Sequence, residues 1–347
     1  MKGTERRSGP YPYYGASGVV DHVDGFIFEG LHLLVAEDGE NLRSRNTPIA
    51  FLADGQFWVN NHAHVLQGRA GVADTRYLSY AVERLDLTGF LTGSTQPKLT
   101  RSALDSIELD IPPLPEQQAI AEVLGALDDK IAANTALAST SDEAISAAFR
   151  RALDHGAKEH PLLEELTIEF GEPFAGSHFS ERGDGRPLIR IRDLKTFTSQ
   201  VWTTEARPRE VVVEEGDVVV GMDAEFRATT WLGRPGLLNQ RLLRASHRVF
   251  GNALVREALT RPLSEIESEK SATTVIHLNK ADLVRKTIPI PSESARVEFE
   301  SFAEPLYRSR VLAAAENRTL AATRDALLPQ LMSGKLRVRD VDAAASA

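Results

Sequence analysis

The chain repeats itself, and this duplication limits its possible folds more than any other feature. Asn60, in Trp58-Val-Asn-Asn-His-Ala-His-Val-Leu66, aligns with Asn239, in Leu237-Leu-Asn-Gln-Arg-Leu-Leu-Arg-Ala245, at an offset of 179. Leu99-Thr-Arg-Ser-Ala-Leu104 falls on Leu278-Asn-Lys-Ala-Asp-Leu283 at the same offset, and Ile111-Pro112 falls on Ile290-Pro291. Nearer the start, Pro12 and Pro187 differ by 175, so small gaps stand there. Three matches in one register indicate two copies of one unit.

Each copy has the same order. Short β-prone runs bounded by Gly, Asp and Pro come first. They are 26–28, 31–36, 49–52, 57–59 and 64–66, then 188–191, 210–213, 217–220 and 237–238. An extended segment with prolines follows, at 109–115 and again at 287–291. After each comes a long helix. In the first, Pro115 suits the first turn and Glu116 complements the N-terminal dipole. Ile120, Leu124, Leu127, Ile131, Asn134, Ala138, Ser141, Ile145, Ala148 and Ala152 then recur at alternating steps of four and three. That seam needs a partner helix, and Asn134 within it can fix the register. The partner is expected at about 293–332, with a stripe of Phe299, Phe302, Leu306, Ala313, Leu320, Leu327 and Leu331. Pro305 and Pro329 are expected to kink or interrupt it, and Gly334 to end it. Two helices, each preceded by a globular head, predict an antiparallel pair with internal pseudo-twofold symmetry.

At 347 residues the chain exceeds one ordinary core, which predicts two or three domains. It has no cysteine, which excludes disulfides, thiolate metal sites and cysteine catalysis. The polar start, with Lys2, Arg6 and Arg7, does not read as a signal peptide. No apolar run approaches the roughly 18 residues of a membrane span, so a cytoplasmic location is expected. The net charge of −9 argues mildly against nucleic acid. Local clusters decide that question, however, and residues 227–248 carry five arginines without an acid.

Ile111-Pro-Pro-Leu-Pro-Glu-Gln-Gln-Ala-Ile-Ala-Glu-Val-Leu-Gly-Ala-Leu-Asp-Asp-Lys-Ile131 resembles the central conserved region of the specificity subunits of type I restriction-modification enzymes. Thr323-Arg-Asp-Ala-Leu-Leu-Pro-Gln-Leu-Met-Ser-Gly-Lys-Leu336 resembles that family's C-terminal conserved end. Gly93-Ser-Thr-Gln-Pro-Lys-Leu99 and Tyr13-Tyr-Gly-Ala-Ser-Gly18 resemble features of its recognition domains. The resemblance implies an α+β fold: two β-rich target-recognition domains joined by two long antiparallel helices. The expected divisions are 1–110 (first recognition domain), 111–155 (central helix), 156–291 (second recognition domain) and 292–347 (C-terminal helix and tail). Each head would read one half of a split site in double-stranded DNA, and the helices would space the heads. Two methyltransferase subunits and the restriction (motor-nuclease) subunits would dock around them. Glu116, Gln117, Leu127, Asp128, Lys130 and Ile131 are the expected partner-binding residues. No cofactor is expected in this chain; S-adenosylmethionine, ATP and Mg belong to the partner subunits. Two features depart from the pattern. The second helix has Ser292-Glu-Ser-Ala-Arg296 where the first has its Glu-Gln signature. The second copy also has about thirty residues between its preceding helix and Pro187, against eleven before Pro12. The first recognition domain is therefore expected to be short at its N-terminus.

Sequence readout needs Arg facing guanine and Asn or Gln facing adenine. The candidates for DNA binding are Arg182, Arg186, Arg190, Arg192, Lys195, Arg227, Gln240, Arg241 and Arg244 in the second head. In the first they are Tyr13, Tyr14, Arg43, Arg45 and His62, with core positions as the alternative for the two tyrosines. Asn60 and Asn239 match between copies that would read different targets, which favours a buried hydrogen-bonding role. His62 and His64 face one side of a strand without a third ligand nearby, so no metal is expected. The sequence has no methyltransferase, helicase or nuclease motif, so the chain is expected to catalyse nothing. Two other classes stay open: a coiled-coil scaffold with protein-binding heads, which the net charge favours, and an enzyme with its site in a cleft between the heads.

Overall fold

The computed structural model describes residues 6–93, 95–223, 225–270 and 276–338. The chain divides into two units, one of 1–129 with 321–347 and one of 130–320. In the first unit, β1 (Tyr11–Gly15), β2 (Gly18–Val23), β3 (Phe28–Glu29) and β4 (His32–Ala36) come first. The short helix α1 (Asn41–Ser44), β5 (Ala50–Ala53), β6 (Gln56–Val59) and β7 (Ala63–Leu66) follow. Then come α2 (Thr75–Glu83), the small pair β8 (Leu91–Thr92) and β9 (Lys98–Leu99), and α3 (Arg101–Asp105). One sheet has the order β2-β1-β6-β3, the other β5-β4-β7. All their pairings are antiparallel except β1 with β6, which is parallel.

The long helix α4 (Leu114–Asp154) begins in this unit and ends in the next. In the second unit, β10 (Ala157–Pro161), α5 (Leu162–Glu165), β11 (Thr167–Phe170) and β12 (Phe179–Ser180) precede β13 (Arg186–Ile189) and β14 (Trp202–Thr203). β15 (Val212–Val213), β16 (Val218–Gly221), β17 (Ala228–Thr230), β18 (Gly236–Leu238) and β19 (Leu242–Ser246) follow. The unit continues through α6 (Asn252–Lys270), α7 (Lys280–Val284), β20 (Thr287–Pro291) and most of α8 (Glu293–Met332). Its sheets run β12-β14-β13-β18-β15 and β11-β19-β16-β17.

The duplication is visible strand by strand. The series β14-β13-β18-β15 repeats β2-β1-β6-β3, including the single parallel step, here between β13 and β18. The series β17-β16-β19 repeats β5-β4-β7. The helices α3 and α7 start on equivalent side-chain caps, Thr100 accepting from the Ala103 amide and Asn279 from that of Asp282. In the second unit the segment from β10 to β12 precedes this repeated frame. β10 pairs with β20 and β11 with β19. Gly171 then carries the chain tightly past β18, since a Cβ there would lie 2.0 Å from the Asn239 carbonyl oxygen.

The seam of α4 forms as its spacing predicts, but on α8 Phe302 of the expected stripe is exposed and Ala303 is buried beside it instead. Ile120, Leu124, Asn134, Ser141, Ile145, Ala148 and Ala152 are all buried. Within the first unit, Ile120 and Leu124 share a cluster with Leu327 and Leu331, and Asp128 meets Arg324 at 2.7 Å. Within the second, Asn134 Nδ2 donates to Glu316 Oε2 at 2.7 Å and Asn317 Oδ1 at 2.8 Å, and Phe149 packs edge-on against Phe299. In each unit the numbers rise on one helix as they fall on the other, so the pair is antiparallel. α8 runs unbroken from Glu293 to Met332, and neither Pro305 nor Pro329 interrupts it. Around Pro305, Ala303 and Tyr307 are buried in the core, which holds the backbone through the lost hydrogen bond. No helix among the described residues is long and apolar enough to cross a membrane.

Gln117, one of the expected partner-binding residues, is corrected to a structural role because it is completely buried. Its Oε1 accepts from the Asp74 amide, and its Nε2 donates to the carbonyls of Val72 and Pro112. Replacing it by Ala strands an amide and two carbonyls at once. Gln117→Ala should lower the stability of the first unit by about 2–4 kcal/mol, measured by urea unfolding of the full chain. An unchanged midpoint would contradict this assignment.

Candidate nucleic-acid interface

In each unit a turn joins the two sheets, and the same backbone hydrogen bonds hold it in both, with an asparagine side chain accepting from an amide of the turn. The Asn60 amide donates to the Tyr14 carbonyl at 2.9 Å, and the Asn239 amide to that of Ile189 at 3.1 Å. The Asn60 side chain accepts from the His62 amide, and the Asn239 side chain from the Gln240 amide. The Glu37 amide donates to the His62 carbonyl, and the Met222 amide to the Arg241 carbonyl, both at 2.9 Å. The Leu99 amide donates to Glu37, and the Leu278 amide to Met222. The two asparagines therefore build the frame, and the residues displayed beyond it differ between units.

On this frame, His62 Nδ1 lies 2.7 Å from Asp38 Oδ2. In the second unit Arg241 Nη1 donates to Asp223 Oδ2 at 2.8 Å, and His277 Nδ1 lies 2.7 Å from Asp223 Oδ1. Burial pushes the Asp223 carboxyl up, but the hydrogen bonds from Arg241 and His277 outweigh it and hold it below the ordinary range. The same bond raises the Arg241 guanidinium. Lys195, Arg227 and Asp223 border one cleft of about 300 Å³, floored by Ile191 and Leu194. Gln240 and Arg241 are exposed on the adjacent turn.

The other candidates divide by what already engages them. Arg182, Arg192 and Lys195 are exposed. Arg227 is exposed, 3.8 Å from Glu225. Arg186 instead forks onto Glu210 at 2.5 and 2.8 Å, which pulls the Glu210 carboxyl down to about 2. The Asp193 carboxylate accepts from the Arg190 amide at the start of a short 3-10 turn (Ile191–Leu194) and lies 3.8 Å from the Arg190 guanidinium; burial pushes this carboxyl up. Arg244 donates to Glu169, to Asp217 and to the Val212 carbonyl, tying β19 to β11 and to the loop before β16. In the first unit, Arg45 donates to the carbonyls of Glu83 and Leu85, and Arg43 to that of Gly93. Tyr13 is corrected to the core, 1% exposed with Arg6 over its ring. Tyr14 is half-buried among Phe51 and Phe57, and burial raises its hydroxyl pKa.

Of the remaining helix residues, Asp128 binds Arg324 and the Tyr80 hydroxyl inside the first unit. Lys130 is exposed 3.4 Å from Glu316, while Glu116, Leu127 and Ile131 are half-buried. His64 gives its Nε2 to the Leu99 carbonyl and holds the sheet to β9. Sequence reading passed over Asp38 and Asp223. Their signal was available only once the repeat was followed through its gaps, because they match at an offset of 185 while the turns they face match at 179.

Residues 1–139 match the family model described as the type I restriction modification DNA specificity domain. A putative type I restriction enzyme specificity subunit of Haemophilus influenzae is 39% identical over 127 residues, 37% of this chain and 32% of that protein. The EcoBI specificity subunit of Escherichia coli is 32% identical over 176 residues, 50% of this chain and 33% of that one. The matched part thus spans about a third of the length of either relative. The crystal structure of the type I restriction-modification S subunit from M. genitalium superposes with a TM-score of 0.65 at 16% identity, covering 96% of this chain and 91% of that one. That likeness shows the fold.

The internal partners of Arg244 make a clear expectation. Arg244→Ala leaves Glu169 and Asp217 without their shared cation and should lower the stability of the second unit by about 1–3 kcal/mol. Arg192→Ala and Lys195→Ala, on exposed positions, should leave the unfolding midpoint within about 0.5 kcal/mol of the parent. Equal losses from all three would remove the distinction drawn between internal and displayed cations.

Proposed function

We propose that the chain is a specificity subunit of a type I restriction-modification system and reads a split site in double-stranded DNA; the match of residues 1–139 to that family's DNA specificity domain supports the reading, and the fold is compatible with it. Each unit reads one half-site. The observation that carries this reading is the duplicated frame with divergent displayed residues: His62 stands in one unit where Arg241 stands in the other. Arg241 offers free guanidinium donors to a guanine edge, the commonest specific contact in a major groove. Lys195, Arg227 and Arg192 supply phosphate contacts, which orient the protein without carrying sequence information.

The chain does no chemistry itself in this reading. It directs methyltransferase and motor-nuclease subunits that bring S-adenosylmethionine, ATP and Mg, and it works in the cytoplasm. The displayed face of the helices, with Lys130 on it, is the surface offered to those subunits.

The heads should specify independently. Exchanging residues 156–291 for those of a relative, with the methyltransferase subunits coexpressed, should change one half of the methylated motif only. Methylation mapping checks it, and a change in both halves would contradict the modular reading. The purified chain alone should transfer no methyl group from S-adenosylmethionine to DNA; turnover by the isolated chain would overturn the non-catalytic role.

A further inference from the structure

The two units differ in the residue displayed on the turn but agree in the acid beneath it. Asp38 and Asp223 each follow the central strand of the second sheet, β4 in one unit and β16 in the other. Each forms an isolated antiparallel bridge to the strand or segment that returns beside it, Asp38 to Lys98 and Asp223 to His277. Each carboxylate then grips the residue displayed on the turn, His62 or Arg241. Lys98 and His277 are as divergent as His62 and Arg241. The acid alone is common to both.

A carboxylate beside a face that meets phosphates opposes binding by repulsion. Its presence at the same place in both units calls for a compensating role. A guanidinium discriminates guanine only when its fork is fixed, because both of its hydrogen bonds depend on direction. Arg241 is 63% exposed, so packing does not fix it; Asp223 does. Its backbone is also held in the left-handed region, at φ 68°, a conformation that persists only where surrounding structure imposes it. His62 is 49% exposed and depends on Asp38 in the same way. When Asp38 accepts from Nδ1–H, the free Nε2 is left as an acceptor, suited to a base amino group.

We propose that Asp38 and Asp223 are positioning residues for sequence discrimination, each aiming the displayed residue of its own unit at a base edge. This rests on the DNA-reading function proposed above. The acids touch no base themselves. They convert a mobile side chain into a directed reader, and for Arg241 they do so at a group that would otherwise bind any phosphate. Removing the carboxylate charge while keeping its shape should therefore loosen specificity and strengthen indiscriminate binding.

The test uses the full chain in complex with its methyltransferase subunits. Methylation mapping of the parent defines the two half-sites. Duplexes with the parent site, and with each base pair of one half-site changed in turn, then serve as probes. Asp223→Asn should reduce discrimination about tenfold at a base pair of the half-site read by the second unit. It should raise affinity for unrelated duplex and leave the other half-site unchanged. Asp38→Asn should do the same at the other half-site, and Asp223→Glu should restore part of what Asp223→Asn loses. If Asp223→Asn lowers the melting temperature, Arg241→Lys keeps the charge, loses the fork and should relax the same base pair. Unchanged discrimination in these variants would overturn the proposal, as would an equal loss of affinity for every duplex or a loss spread over both half-sites. A parent complex with no preference among duplexes would overturn the DNA-reading function, and the positioning role with it.

Discussion

The apolar stripe of α4 cannot be left in water, and covering it determines how the chain is organised. The stripe runs from Ile120 to Ala152, through parts of the helix that belong to both units. α8 covers it in each, with Leu327 and Leu331 in the first and Phe299 and Ala303 in the second. The first unit is therefore not a continuous stretch of sequence: it is completed by 321–347, from the far end of the chain, whereas the second is the single stretch 130–320. Asn134 sets the register of the pair, because its amide has partners only at Glu316 and Asn317. A shift by one turn would bury that amide against apolar side chains, at a cost of several kcal/mol. Nearby, Asp142 receives both Arg256 and Arg310, a second polar contact that fixes the same register.

Duplication explains what is constant in the two heads and what is free to change. The constant part is backbone: the single parallel strand step, the amide of Asn60 or Asn239 on the preceding strand, and the capped helix that follows. These contacts use the main chain or a small amide side chain, so they tolerate change around them. The variable part is displayed beyond the turn. A module with this division can change what it meets without rebuilding its core, which is the property the proposed function requires. In the second unit β11 extends the second sheet beside β19 without altering the repeated strand order.

The two long helices and the repeat were legible in the sequence because both depend on spacing. A stripe at steps of four and three survives any substitution of one apolar residue for another, and an offset of 179 survives low identity. The strands were less legible. β1 and β2 were missed because Tyr11–Gly15 and Gly18–Val23 lie on a sheet whose burial does not alternate cleanly, with Val19 and Val20 exposed. α6 was missed because its buried face includes Arg256 and Pro262, which break the apolar pattern. The prolines of α8 misled in the opposite direction. Local propensity predicts a kink or an interruption at each; no interruption occurs, because tertiary packing on either side keeps the helix continuous.

The candidate interface was the least legible feature, for a reason that lies in charge pairing. Sequence shows where arginines are but not which carboxylate meets them. Arg244 and Glu169 are 75 residues apart, and Arg186 and Glu210 are 24 apart. Once such pairs are removed, the many arginines of the second head shrink to a small displayed set around the cleft by Asp223. This also reconciles the net charge of −9 with the proposed function. Much of the acid neutralises cations inside the heads, and a specificity subunit needs few phosphate contacts of its own if partner subunits supply the rest of the grip. Electrostatic affinity grows with each phosphate neutralised and is blind to sequence. A chain whose task is to discriminate gains by keeping that term small, so that the directed contacts on its two turns decide where it binds.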